Sequence, residues 1–359
     1  MNPRPDLSLR ERLAAQIAQD GPLTVAQYMT ACLHDPRGGY YATRPALGEA
    51  GDFVTAPLVS QMFGELIGVW SALAWGRLGE PRDVVLVEMG PGDGTLMDDL
   101  LRAARAAAGF LDAAEVWLVE TSEPLRTRQR ERLGDRMGGR IRWARSLDDV
   151  PGGRPLILVA NELLDCLPAR QFVRGPLGWT EQVVGLDRDG ALAFARVPAP
   201  GGLPDAREGT VLEVSAAQQA LGSALGERLV RDGGAALLID YGRDAPGFGD
   251  TLQALRRHEH TDPLACPGEA DLTVHADFPA VMAAAEREGA TAAIQTQARF
   301  LARMGIGERA ETLLRARPDK AATIGRQLTR LVGADQMGDL FKACCLHSPG
   351  WSPPAFEED

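Results

Sequence analysis

The stretch "VVLVEMGPGDGTL", Val84 to Leu96, runs an apolar strand directly into a glycine-rich turn. Glycines stand at 90, 92 and 94, and Glu88 lies two residues ahead of the first. A strand-to-helix turn of this composition lets backbone approach a ligand closely and presents a helix N-terminus. The dinucleotide fingerprint G-x-G-x-x-G would place its last glycine at position 95, which is Thr95. No G-K-[ST] follows, so the turn is not a phosphate loop of the Walker type. A dinucleotide site and a tight turn without a ligand remain open at this point.

Outward from the turn, strands and helices alternate. Apolar runs predict strands at Val84–Val87, Val116–Val119, Ile141–Trp143 and Leu156–Val159, with helices at Leu96–Ala108 and Pro124–Leu133 between them. The pattern resumes with a helix over Ala216–Arg231 and a strand over Ala235–Ile239. A helix after Asp277, a strand near Ala292–Ile294, a helix from Ala298 and a closing strand Leu340–Leu346 follow. Such alternation predicts an α/β fold: a mainly parallel, twisted sheet with helices on both faces. Residues 171–213 break it with short β-rich runs, and Asp189–Gly190 marks a hairpin, so an antiparallel β insertion is expected there. Before the sheet, residues 1–56 predict an N-terminal helical extension, broken at Gly21–Pro22, followed by a glycine- and proline-rich active-site loop. A helix over Pro57–Leu78 opens the main domain at 57–349, and residues 350–359 read as a loose tail.

Composition narrows the function classes. The formal net charge of −11 argues against general nucleic-acid binding, which rests on Lys and Arg. No apolar run reaches the roughly 20 residues of a membrane span. Five cysteines of irregular spacing form neither a disulfide framework nor a zinc pattern, and no metal is expected. The N-terminus lacks the apolar segment of a secretory signal and reads as cytoplasmic.

A second acid, Glu120, closes the next strand, 26 residues beyond Gly94. A carboxylate there is placed to accept hydrogen bonds from ribose hydroxyls. A ribose together with a cation near Glu88, and no required phosphate, describes S-adenosylmethionine better than a dinucleotide. The acid followed by G-x-G-x-G resembles the first motif of class I (Rossmann-type) methyltransferases. Glu88, Gly90, Gly92, Gly94, Thr95 and Glu120 are the candidate cofactor residues. Asp148 is a further candidate for the adenine amino group, in competition with Asp149.

Further strings narrow the resemblance: "GDFVTAPLVSQMFGELIG" (Gly51–Gly68), "ANELLDCLPARQF" (Ala160–Phe172), "LLIDYG" (Leu237–Gly242), "ADLTVHADF" (Ala270–Phe278) and "MGDLFKACCL" (Met337–Leu346). From about residue 20 to 347 the chain resembles the MidA-like family, which includes the mitochondrial complex I assembly-factor methyltransferase. The resemblance implies an S-adenosylmethionine-dependent enzyme that methylates an arginine of a partner protein, with a respiratory complex I subunit as the implied partner and mitochondrial location in eukaryotic relatives. One departure is Leu58, where the family pattern carries an acid after the proline.

The string "NELLDCLP" follows the buried fourth strand, at the sheet edge where open α/β folds bind ligands. Paired carboxylates can grip a guanidinium and take up its proton. Glu162 is therefore expected to be the principal guanidinium ligand, Asp165 a second ligand or proton acceptor, and Asn161 an orienting group; a helix-capping role competes for each. Asp52, Thr55, Ser60, Gln61 and His275 are the candidate substrate contacts. A non-catalytic assembly factor and a small-molecule methyltransferase are the alternative readings.

Overall fold

The computed structural model describes residues 7–43 and 55–357. Asp52 and the rest of residues 44–54 in the glycine- and proline-rich loop lie outside the described residues.

At its centre is an eight-stranded sheet. Seven strands run side by side in the order Thr291–Thr296, Phe341–His347, Gly234–Arg243, Leu156–Asn161, Val84–Met89, Ala114–Val119 and Ile141–Ala144. Neighbours from Gly234–Arg243 to Ile141–Ala144 are parallel, whereas Phe341–His347 is antiparallel to both of its neighbours. A short eighth strand, Ala276–Asp277, extends Gly234–Arg243 in parallel. Val84–Met89 and Leu156–Asn161 lie side by side, and the strand order reverses between them. Open α/β sheets bind their ligands outside the carboxyl ends of strands at such a reversal.

Both faces of the sheet are covered. Leu86, Val116, Ile157, Leu237 and Cys345 point into one core with Trp70, Phe110 and Phe300. Val85, Val87, Leu158, Leu238 and Cys344 point into the other with Leu225, Phe278 and Val281. The adjacent cysteines thus face opposite layers, as side-chain alternation along a strand requires.

A third core joins the parts that lie outside this sheet. The helices Leu9–Asp20 and Val25–His34 each begin with a capping box, Ser8 with Glu11 and Thr24 with Gln27. Between them Leu23–Thr24 pairs antiparallel with Gly178–Leu186 of the insertion. The insertion is an antiparallel sheet of Arg170–Gly175, Gly178–Leu186, Leu192–Pro198 and Val211–Val214, with its expected hairpin between Leu186 and Leu192. Leu13, Tyr28, Met29 and Tyr40 pack here against Val184, Ala254 and Leu272.

Several expectations need correction. The helix expected over Pro57–Leu78 is two helices, Ala56–Val59 and Gln61–Arg77. Ser60 leaves helical geometry at φ −162°, and its hydroxyl accepts from Met62 N at 3.3 Å, which starts the second helix. The helix after the glycine turn stops at Ala104, short of Ala108. A three-stranded sheet of Gln253–Arg256, Glu259–Thr261 and Asp271–Thr273, and two helices, Ile306–Ala316 and Ala321–Val332, had no counterpart in the sequence reading. The tail is not loose over its described part. Pro353, Pro354 and Ala355 are buried, Trp70 Nε1 donates to Pro354 O at 3.2 Å, and Gln295 Nε2 donates to Ala355 O at 2.7 Å. The apolar rings of Trp351 and Phe356 pack on the core, which repays ordering the segment.

Candidate active site

A cavity of about 890 Å³ opens at the strand-order reversal. One end is built by the glycine turn. Gly90, Gly92 and Gly94 all take positive φ, at 66°, 54° and 84°. A side chain at Gly90 would put its Cβ 3.0 Å from Leu163, and one at Gly94 would lie 3.3 Å from Leu133. The turn is tied to its surroundings: Gly90 N donates to Val119 O at 3.1 Å, and Gln129 Nε2 donates to Gly92 O at 2.7 Å. Thr95 begins the following helix and gives both its amide and its hydroxyl to Asp93 Oδ1, at 3.0 and 2.7 Å. Thr95 and all three glycines except Gly94 line the cavity.

Glu88 is 2% exposed, and its Oε2 has no hydrogen-bond partner among the described residues. Burial holds its carboxyl well above the usual range, and repulsion from Asp93 adds to this. An orphaned buried carboxylate oxygen calls for a donor or a cation. Glu120 is also buried, with its pKa raised by burial; Oε1 accepts from Ser122 N at 2.7 Å and Oε2 from Gln129 Nε2 at 3.4 Å. The structure separates the competing aspartates. Asp149 turns its Oδ2 to the amides of Arg145 and Ser146, at 3.2 and 3.1 Å, whereas Asp148 lines the cavity.

The other end is walled by the turn after Leu156–Asn161. Glu162 sits at φ 51°, a left-handed conformation that side chains other than glycine adopt at a cost of about 1–3 kcal/mol. Its backbone is pinned by donation from Glu162 N to Ile239 O at 2.8 Å. Glu162 Oε1 accepts from Ala56 N and from Asn161 Nδ2, both at 3.0 Å. Asn161 Oδ1 is buried with no partner among the described residues. Burial, with repulsion from Asp165, raises the Glu162 carboxyl to about 7, and burial raises that of Asp165 to about 6. Asn161, Glu162 and Asp165 all line the cavity.

Asp240 holds this turn from behind. Its Oδ2 accepts from Leu164 N and Asp165 N at 2.8 and 3.2 Å, and its Oδ1 from Tyr241 N at 2.8 Å. It is 1% exposed, and burial together with the charges of Asp165 and Glu162 lifts its pKa well above the usual range. The sequence reading quoted Asp240 within "LLIDYG" without giving it a role; an acid closing a buried strand was the available signal.

Of the expected substrate contacts, Thr55 lines the cavity. So does Leu58, the apolar residue at the position where the resemblance led us to expect an acid. Ser60, Gln61 and His275 do not. Ser60 is committed to its helix cap, and Gln61 is exposed on the same helix. His275 packs edge-on against Tyr241 with ring centroids 5.5 Å apart. In their place stand Tyr41 and Asp271, both in the lining and neither given a role in the sequence reading. Asp271 belongs to the string that drew attention to His275.

A row of seven strands in which one, Phe341–His347, runs antiparallel to its neighbours, with an acid–glycine turn at the reversal, defines a class I methyltransferase. A family model described as S-adenosyl-L-methionine-dependent methyltransferase matches residues 66–296, and the chain belongs to that family. The mitochondrial protein arginine methyltransferase NDUFAF7 of Rattus norvegicus is 35% identical over 398 residues, covering 96% of this chain and 90% of the relative. Its Homo sapiens counterpart is 34% identical, covering 95% of this chain and 84% of that one. A crystal structure of a superfamily member from Burkholderia thailandensis, bound to S-adenosyl-homocysteine, superposes with a TM-score of 0.87 at 32% identity over 98% of this chain and 94% of that one. The cofactor class and the MidA-like membership read from the motifs are thereby borne out. No helix among the described residues is long and apolar enough to cross a membrane.

Proposed function

We propose that this methyltransferase acts on an arginine side chain of a partner protein. The observation that carries the reading is the acidity of the chamber beyond the glycine turn. Glu162, Asp165 and Asp271 line it, and among the described residues Arg145, on the stretch beside Asp148, is the one lining Arg or Lys. Carboxyl groups crowded into a desolvated space repel one another and hold protons until a cation arrives. A guanidinium is such a cation, and its planar fork of donors matches carboxylate geometry. The names of the relatives, protein arginine methyltransferase, support the same acceptor. The complex I subunit implied by the sequence resemblance is the proposed partner.

Glu88, Gly90, Gly92, Gly94, Thr95, Glu120 and Asp148 would hold the cofactor, and the orphaned Glu88 oxygen fits a group carrying donors or positive charge. Bound S-adenosylmethionine supplies an electrophilic methyl group. Glu162 binds the guanidinium, its orientation held by Ala56 N and Asn161 Nδ2. Asp165 takes the proton that the attacking nitrogen loses; a carboxyl held near 6 is a better acceptor than an ordinary aspartate. Positioning supplies much of the remaining acceleration.

The test is radiolabelled methyl transfer from the cofactor into lysate proteins, followed by mass spectrometry of the labelled band. Label on an arginine is the expected result. No label from protein with verified cofactor binding would favour a non-catalytic assembly factor instead.

A further inference from the structure

Tyr41 and Asp271 come from outside the methyltransferase sheet, yet both line its cavity. Tyr41 lies on the short helix Tyr40–Thr43 of the N-terminal extension, and Asp271 begins the strand Asp271–Thr273 of the outer three-stranded sheet. Across 230 residues of sequence the Tyr41 hydroxyl donates to both Asp271 oxygens at 2.9 Å. Asp271 is 5% exposed. The pair is fixed relative to the catalytic turn, because Val274 N donates to Asp165 O at 2.9 Å. Burial, then the charges of Asp271, Cys166 and Asp165, keep the Tyr41 phenol protonated. Behind it His34 stacks on the Tyr41 ring, centroids 6.0 Å apart.

An aromatic face beside a hydrogen-bonded carboxylate grips a planar cation in two ways, by its ring quadrupole and by charge-assisted hydrogen bonds. We propose that Tyr41 and Asp271 form a second wall of the arginine pocket, facing the acceptor together with Glu162 and Asp165, and set its preference for guanidinium over ammonium. The inference rests on the arginine reading above. It makes the N-terminal extension a specificity element: the extension carries Tyr41 into the cavity through Leu23–Thr24, which pairs with the insertion, and through the shared third core. A compact ammonium offers neither a planar face nor a fork of donors, so it gains less from this wall.

The test measures equilibrium binding of two short peptides, Gly-Arg-Gly and Gly-Lys-Gly, to the full chain saturated with S-adenosyl-homocysteine. Wild type is expected to bind the arginine peptide more tightly than the lysine peptide. Tyr41→Phe keeps the ring and removes the hydroxyl that orients Asp271. It is expected to weaken the arginine peptide several-fold, and Asp271→Asn about ten- to a hundredfold, the cost of losing a hydrogen bond to a charged group. Affinity for S-adenosyl-homocysteine should stay unchanged in both, which also verifies folding. Arginine-peptide binding unaltered in both cofactor-competent variants would overturn the second wall and leave the arginine reading standing. A wild type that binds both peptides alike would instead overturn the arginine reading, and the second wall with it. Should Asp271→Asn lose cofactor binding, Tyr41→Phe alone decides: a weakened arginine peptide supports the wall, an unchanged one refutes it.

Discussion

Two turns follow neighbouring parallel strands at the same end of the sheet, and they solve the same geometric problem with different residues. After Val84–Met89 the chain takes positive φ three times, always at glycine. After Leu156–Asn161 it takes positive φ once, at Glu162. Glycine removes both the steric penalty and the side chain. At the first turn the side chain is what must go, since a Cβ on Gly90 would press on Leu163. At the second turn the side chain is kept and lines the cavity, and the strained backbone is stabilised by neighbours. Those neighbours are Ile239 O for the Glu162 amide, Ala56 N and Asn161 Nδ2 for its carboxylate, and Asp240 for the two amides that follow. The first turn meets the cavity with backbone, whereas the second meets it with a carboxylate.

The largest expected break of this comparison is Glu162→Gln. It keeps the size and the hydrogen-bond acceptor but removes the charge, and methyl transfer should fall by at least about a hundredfold. Cofactor affinity, measured by calorimetry, should change little, because the variant lies at the charged turn. Equal turnover by Glu162→Gln and wild type would remove Glu162 from the mechanism.

The pH profile tests the charged turn as a whole. Glu162 near 7 and Asp165 near 6 must ionise to meet a cation, so the transfer rate should rise with pH through about 6–7 and flatten above. Below that limb the rate should fall by about tenfold per pH unit where one proton controls it. Asp240→Asn turns an amide group toward backbone N–H groups that now donate to a carboxylate, so the maximal rate should drop from looser positioning of the turn. Stability should respond in the opposite sense to activity. Each of these carboxyls has a folded pKa above its unfolded one, so the folded state holds their protons more tightly. Their contribution is most favourable below the ordinary carboxylate range and is lost as pH rises toward about 7. Thermal unfolding of the cofactor-free protein between pH 5 and 8 would reveal this, and Glu162→Gln should flatten it.

At the glycine turn, Gly94→Ala confronts a φ of 84° and a contact 3.3 Å from Leu133. Its cost should be about 1–2 kcal/mol of stability by denaturant unfolding, with cofactor affinity reduced and the pH limb in place. A shifted limb would show that the two turns are coupled. The smallest effect belongs to Ser60→Ala, which loses a helix cap worth about 1 kcal/mol. Ser60 lies outside the cavity, so the peptide and cofactor affinities should be those of wild type.

The core strands were legible because burial on both faces writes itself as unbroken apolar runs, as in Leu156–Val159. The cofactor end was legible for a related reason: its parts are local, and Glu88 through Thr95 span a single turn. The interruption at Ser60 escaped because the apolar stripe of the long helix continues through it, while the cap is one hydroxyl. The outer sheet escaped because its strands, three or four residues long, carry polar side chains such as Gln253, Glu259 and Asp271. His275 was favoured over Asp271 within one string, since sequence spacing carries no information about which residue meets Tyr41.

By itself, the sequence determined the sheet, the cofactor turn and the acids that follow the fourth strand, because each is encoded in contiguous residues by periodicity, turn chemistry or both. The tertiary structure alone decided how Glu162 is oriented, that Asp148 and not Asp149 lines the cavity, and that Tyr41 and Asp271 meet there. Those are contacts between residues far apart in the chain, and hydrogen bonds formed across 230 positions leave no periodic trace in composition or spacing.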